Sequence, residues 1–175
     1  MFQLLKELEA RLGLTSGVDI YIAGGMATHL YTGYRSTTDI DAEFSDRCLG
    51  PKDLVIEFDG NDEQRQLLYL DTNYNLSFTL THPEYQDDAE PITEYRGYFK
   101  VFTLSPLDLA LSKISRLSQI DKEDILSLAM AGFVSSIDLQ QRAEEALADC
   151  IGVSSMLEQN IRVAIEVVRE AEQAR

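Results

Sequence analysis

At Ser105-Pro106 the hydrophobic pattern of the chain changes period, and that change sets the class of fold open to it. Before it, short alternating or β-branched runs are separated by turn residues, as strands are. After it, apolar residues recur at helical spacing to the end, with breaks near Gly132 and Gly152. Ser105 is a natural N-cap and Pro106 fits the first helical position behind it. Strands first and helices second predict an α+β fold, with residues 1–104 as an α/β core and residues 105–175 as a C-terminal helical bundle packed on it. At 175 residues and 45% hydrophobic content, one core can be buried but hardly two large ones.

Within the first part, residues 2–13 carry Leu4, Leu5, Leu8 and Leu12 at helical spacing and stop at Gly13. Residues 18–23 alternate as a strand and end at Gly24-Gly25. A short helix is predicted over 26–34 and a strand over 37–45. Two extended stretches, 53–58 and 66–70, flank Asp59-Gly60-Asn61-Asp62, a hairpin signal. Residues 75–80 and 98–102 read as further strands, and His82-Pro83 opens a short acidic helical turn to Asp88. The last helix repeats Leu157, Ile161, Ala164, Ile165, Val168 and Ala171, a stripe that serves a core or a partner equally well.

Charge and composition narrow the partners. A net charge of −15 argues against a broad grip on nucleic acid, because phosphate neutralisation supplies most of such affinity. RNA through a local patch stays open, but a small molecule or a protein is favoured. No run of eighteen apolar residues offers a membrane span, and the N-terminus has no signal-peptide pattern, so a cytoplasmic protein is expected. Cys48 and Cys150 are far apart without metal-ligand spacing and are expected as reduced thiols, one of them in a helix. With only His29 and His82 present, a zinc site is not expected.

The chemistry concentrates in one stretch. A strand runs into Gly24-Gly25 and then a helix, where bare backbone and a helix N-terminus suit an anion such as phosphate. After thirteen intervening residues come Asp39 and Asp41, two apart on a strand and so on one face. Two carboxylates at one place repel unless a cation joins them, and oxygen-only ligands suit magnesium. Arg35 either meets a phosphate oxygen or ties its loop to Asp39. A structural calcium site is disfavoured, since no loop has the ligand density of a calcium-binding hand.

Gly24-Gly25, Arg35-Ser36, Asp39-Ile40-Asp41, Lys113 and Asp121-Lys122-Glu123-Asp124 together resemble the nucleotidyltransferase superfamily related to DNA polymerase beta. More narrowly they resemble its AbiEii-like bacterial toxin branch and that branch's small relatives, over about residues 18–150. The resemblance implies a nucleotidyltransferase-type mixed sheet flanked by helices, a nucleoside triphosphate as substrate and Mg2+ as cofactor. It implies Asp39 and Asp41 as catalytic metal ligands, with Gly24, Gly25, Arg35, Ser36 and Lys113 at the nucleotide. It also calls for a third carboxylate on a neighbouring strand. Asp71 is the first choice, Glu57 the second and Glu43 the third. Lys113 is then both a nucleotide-binding and a catalytic residue, against the alternative of a solvated lysine. Asp124 is the matching catalytic acid, against a helix cap or a salt bridge with Lys122 or Arg116. The acceptor would be protein or RNA, and the setting a toxin–antitoxin or phage-defence pair with a cognate toxin or antitoxin as partner. The alternative is a catalytically silent module of the same fold that works by protein–protein contact.

Overall fold

In a computed structural model, described for residues 1–45, 54–59, 65–71, 74–150 and 154–175, the chain forms a mixed six-stranded sheet with helices around and after it. The strands are β1 (Val18–Ile22), β2 (Asp39–Phe44), β3 (Val55–Asp59), β4 (Arg65–Asp71), β5 (Glu90–Pro91) and β6 (Phe99–Thr103). The helices are α1 (Phe2–Leu12), α2 (Gly24–Thr32), α3 (Pro106–Ile114), α4 (Gln119–Met130), α5 (Ser136–Ala148) and α6 (Ser155–Ala174). The sheet order is β3-β4-β2-β1-β6-β5. β1 runs antiparallel to β2 and parallel to β6, while β2 runs parallel to β4. This is the α+β class that the change of period at Ser105-Pro106 predicts.

Alternation along β2 fixes what faces where. Ile40 and Ala42 are buried in the core, while Asp39, Asp41 and Glu43 take the opposite face. The parallel register then sets Asp41 beside Asp71 and Asp39 beside Tyr69. β1 ends at Ile22, and the Ala23 N–H donates to the Asp41 carbonyl at 2.9 Å, so the turn into α2 starts next to β2. At the edge, β3 pairs antiparallel with β4, placing Glu57 opposite Leu67 and away from Asp71.

Specific bonds fix the junction where the last core strand gives way to the helical half. Ser105 caps α3, accepting the Asp108 N–H at 3.1 Å with Pro106 behind it. The Tyr31 hydroxyl on α2 meets Thr103 Oγ1 at 2.8 Å and donates to the Leu104 carbonyl at 2.9 Å. The stripe on α6 is core: Ile161, Ala164, Ile165, Val168 and Ala171 are buried, with α4 and α5 as neighbours. Among the described residues no helix is long and apolar enough to cross a membrane.

Local expectations needed correction in four places. Residues 75–80 are no strand: Asn75 Oδ1 accepts the Ser77 N–H at 2.8 Å and caps a 3-10 turn over Leu76–Phe78. The stretch from Pro83 to Asp88 makes turns instead of a helix. Helical periodicity hid a stop between α3 and α4, where Ser118 and Asp121 form a capping box, a device that stabilises by about 1 kcal/mol. Cys150 is free and exposed just beyond α5, so no described cysteine lies in a helix. The predicted hairpin turn, Cys48 and the break at Gly152 lie outside the described residues.

Candidate active site

The loop after β1 is built around two glycines that cannot be replaced freely. Gly24 has φ of 58°, in the left-handed region, and a Cβ there would overlap Asp41 Oδ2. A Cβ on Gly25 would come within 2.9 Å of Arg35 Nη2 and 3.2 Å of Thr37 Oγ1. The missing side chains thus let α2 start hard against a carboxylate on one side and a guanidinium on the other. Both glycines line a cleft of about 580 Å³, a size within the range of small-molecule sites.

Three carboxylates meet in that cleft. Asp39 and Asp41 come from one face of β2, and Asp71 closes the adjacent β4. The Thr37 hydroxyl donates to Asp39 Oδ1 and fixes its direction. Burial, then the charges of Asp39 and Asp71, push the Asp41 carboxyl up to about 6. Lys113 and Arg116 pull it the other way without cancelling the rise. Of the alternatives for the third acid, Glu57 is exposed on β3 and ion-paired with Arg65 at 3.4 Å, while Glu43 lines a separate cleft.

The cationic side is organised by Asp124. Its fully buried carboxylate accepts Arg35 Nε at 2.8 Å and Nη2 at 2.9 Å, and Lys113 Nζ at 2.6 Å. The Asp124 hydrogen bonds come first in raising the Arg35 pKa above its usual value. Arg35 is therefore tied to Asp124 and not to Asp39. Lys113, buried itself, lines the cleft with Arg35, whereas Asp124 sits behind the lining. Lys113 and Asp124 are eleven residues apart on different helices, joined across the stop at Ser118. Ser36 is exposed on the loop between α2 and β2, outside the lining. His29 Nδ1 donates to the Arg35 carbonyl at 2.8 Å, a purely structural use.

Several lining residues gave no signal in the sequence. Thr37 could have been suspected from its position before Asp39. Arg116 lies at the mouth and grips Asp121 through two 2.8 Å bonds. Burial of Asp121 opposes its charge, but the hydrogen bonds from Arg116 and Ser118 outweigh this and lower its pKa. Tyr74, Phe78 and Ile120 supply an apolar rim, with Phe78 83% exposed and Ile120 53% exposed.

The donor set of Asp39, Asp41 and Asp71 is all oxygen, and burial together with the neighbouring charges holds Asp41 back from ionising. A hard divalent cation such as Mg2+ fits both features. A second grouping, His82, Glu84 and Asp88, brings ligand atoms within 4.8 Å of one another. Two of its members are already engaged: His82 Nδ1 accepts the Glu84 backbone N–H at 3.1 Å, and Asp88 pairs with Arg142 at 2.6 Å.

No curated protein and no solved structure matches the chain. Residues 1–171, nearly the whole chain, match the family model described as a nucleotidyltransferase of unknown function (DUF6036). A turn at two glycines pressed against a carboxylate trio, in a chain matched over that length, is what the assignment rests on: the chain belongs to this nucleotidyltransferase family.

Proposed function

We propose that the chain is a magnesium-dependent nucleotidyltransferase, moving a nucleotide from a nucleoside triphosphate to a hydroxyl on a protein or RNA acceptor. The observation that carries the reading is the convergence of Asp39, Asp41 and Asp71 beside the Gly24-Gly25 turn, with Asp41 raised by burial and then by its acidic neighbours. Asp39, Asp41 and Asp71 would hold the metal. When bound, it supplies neutralisation of the triphosphate and a more acidic acceptor hydroxyl.

The chain's own residues do the remainder. Gly24 and Gly25 admit the phosphates against bare backbone, and Lys113 and Arg35 offset their charge from the α3 side. Asp124 holds both cations in place without touching the substrate. Asp71 takes the proton of the acceptor hydroxyl, whose oxygen attacks the α-phosphorus. The bond to the bridging oxygen breaks and pyrophosphate leaves with its electron pair. The exposed Phe78 and Ile120 rim offers a face on which any base can stack.

The AbiEii-like resemblance supports a toxin–antitoxin or phage-defence setting, and the acidic surface favours a protein acceptor over RNA. Calorimetry with magnesium and each triphosphate, followed by transfer of α-labelled nucleotide, tests the activity. Binding should vanish in the Asp39→Ala plus Asp41→Ala double variant. If the unaltered protein binds no triphosphate at any magnesium level, the silent-module alternative takes its place.

A further inference from the structure

We propose that a second cleft beside the carboxylates seats the acceptor, and that this acceptor is a basic protein segment presenting a hydroxyl. The inference rests on the nucleotidyltransferase reading and names the acceptor for that same reaction. The cleft measures about 260 Å³ and is lined by Glu43, Ser77, Thr79, Thr81, His82 and Tyr85 among others. Thr79 lines this cleft and the nucleotide cleft alike, so the two separate clefts adjoin at that residue. Glu43 follows Asp41 on the same face of β2, about 7 Å further along the strand at two residues' rise. A group held there would reach the carboxylate trio with its own side chain.

The chemistry of the lining selects the occupant. Glu43 Oε2 is buried and has no hydrogen-bond partner. A buried carboxylate oxygen in that state costs free energy until a donor reaches it. Around it stand acceptor-capable hydroxyls: Thr79 and Thr81 share a 3.0 Å bond, and Ser77 is exposed at the rim. No lysine or arginine is among the described residues that line the cleft. The Tyr85 phenol lines the same wall and is pushed up to about 12 by burial first, then by the Glu43 charge and by a hydrogen bond to that carboxylate, whose Oε2 stays the open acceptor. A polyanion would meet Glu43 with phosphates and no counter-charge, in a chain of net charge −15. A protonated amine or guanidinium beside a serine or threonine hydroxyl complements the same wall.

The probes are a fluorescent Arg-Arg-Ser-Arg-Arg peptide and a five-residue oligouridylate with a free 3′-hydroxyl. Each is titrated into the full chain with magnesium and a non-hydrolysable triphosphate present, followed by anisotropy. The peptide should bind more tightly than the oligouridylate and weaken with salt. Glu43→Gln should weaken it at least about tenfold, the size of one charge-assisted hydrogen bond. Calorimetric affinity for the magnesium triphosphate should stay within about twofold in the same variant. Ser77→Arg, which changes only an exposed side chain and keeps the backbone N–H that Asn75 accepts, should also block the peptide by charge and bulk. Peptide binding that is absent, indifferent to both substitutions, or weaker than that of the oligouridylate overturns the acceptor cleft while triphosphate binding stands. Failure of the unaltered protein to bind triphosphate overturns the underlying reading, and the acceptor cleft with it.

Discussion

Replacing Asp41 by asparagine should make the metal-free protein more stable, although it removes a residue central to the proposed site. Asp41 rises from 3.8 to about 6 because burial and then the charges of Asp39 and Asp71 disfavour its ionised form. A carboxyl whose folded pKa lies above its unfolded value destabilises the native state at high pH, and the penalty fades as pH falls from 6 towards 4. The rise is about two units, worth about 3 kcal/mol at 1.36 kcal/mol per unit and nearer 2 after allowance for residual solvent access. Asparagine keeps the shape and drops the charge. In EDTA at pH 8 the melting temperature of Asp41→Asn should exceed that of the unaltered protein by roughly 4–10 °C for a chain of this size. The two should converge near pH 4. Magnesium should reverse the order by stabilising only the unaltered protein, by about 2.7 kcal/mol at a hundredfold excess over Kd. Urea and thermal melts from pH 4 to 8, with and without magnesium, measure all of this. An Asp41→Asn protein less stable than its parent in EDTA at pH 8 would refute the electrostatic reasoning.

Other outcomes follow from the same geometry. Magnesium affinity should fall about tenfold per pH unit below pH 6, as protons compete for Asp41, and titration calorimetry at stepped pH checks it. Gly24→Ala should abolish triphosphate binding while circular dichroism stays native, because its Cβ displaces Asp41 and its φ costs about 1–2 kcal/mol for a residue with a side chain. Asp124→Ala leaves Lys113 buried without its carboxylate and should lower stability in urea by about 3–5 kcal/mol. Phe78→Ala should weaken every triphosphate alike by about 1–3 kcal/mol, seen by calorimetry, with an unchanged melting temperature since Phe78 is 83% exposed.

The β1–α2–β2 unit was legible in the residues because each of its features is local. Alternation along Asp39-Ile40-Asp41 puts both acids on one face, and Gly24-Gly25 marks a turn that a side chain would obstruct. The position of Asp71 depends on strand pairing, which sequence alone left open against Glu57 and Glu43; the parallel β2–β4 register sets it next to Asp41. The bond between Lys113 and Asp124 was obscured because an unbroken helix would hold them about three turns apart. The Ser118–Asp121 capping box, with Leu117 at a φ of 43°, turns the chain back and brings them to 2.6 Å. Likewise Asn75 looked like the start of a strand, yet its side chain competes for the Ser77 N–H and coils the segment that carries Phe78 to the rim. Contacts made by caps and by long-range pairing are invisible to periodicity, and they supply the second half of the site.

Where the metal goes is the claim on which the rest depends. Manganese in place of magnesium, with ATP, broadens backbone amide signals near the ion and so reports its location residue by residue. The expected result is loss of the Gly24, Gly25, Asp41 and Asp71 signals, with those of Gly24, Gly25 and Asp71 restored in the Asp39→Ala plus Asp41→Ala variant. Broadening centred on His82, Glu84 and Asp88, with those four signals intact, would contradict it.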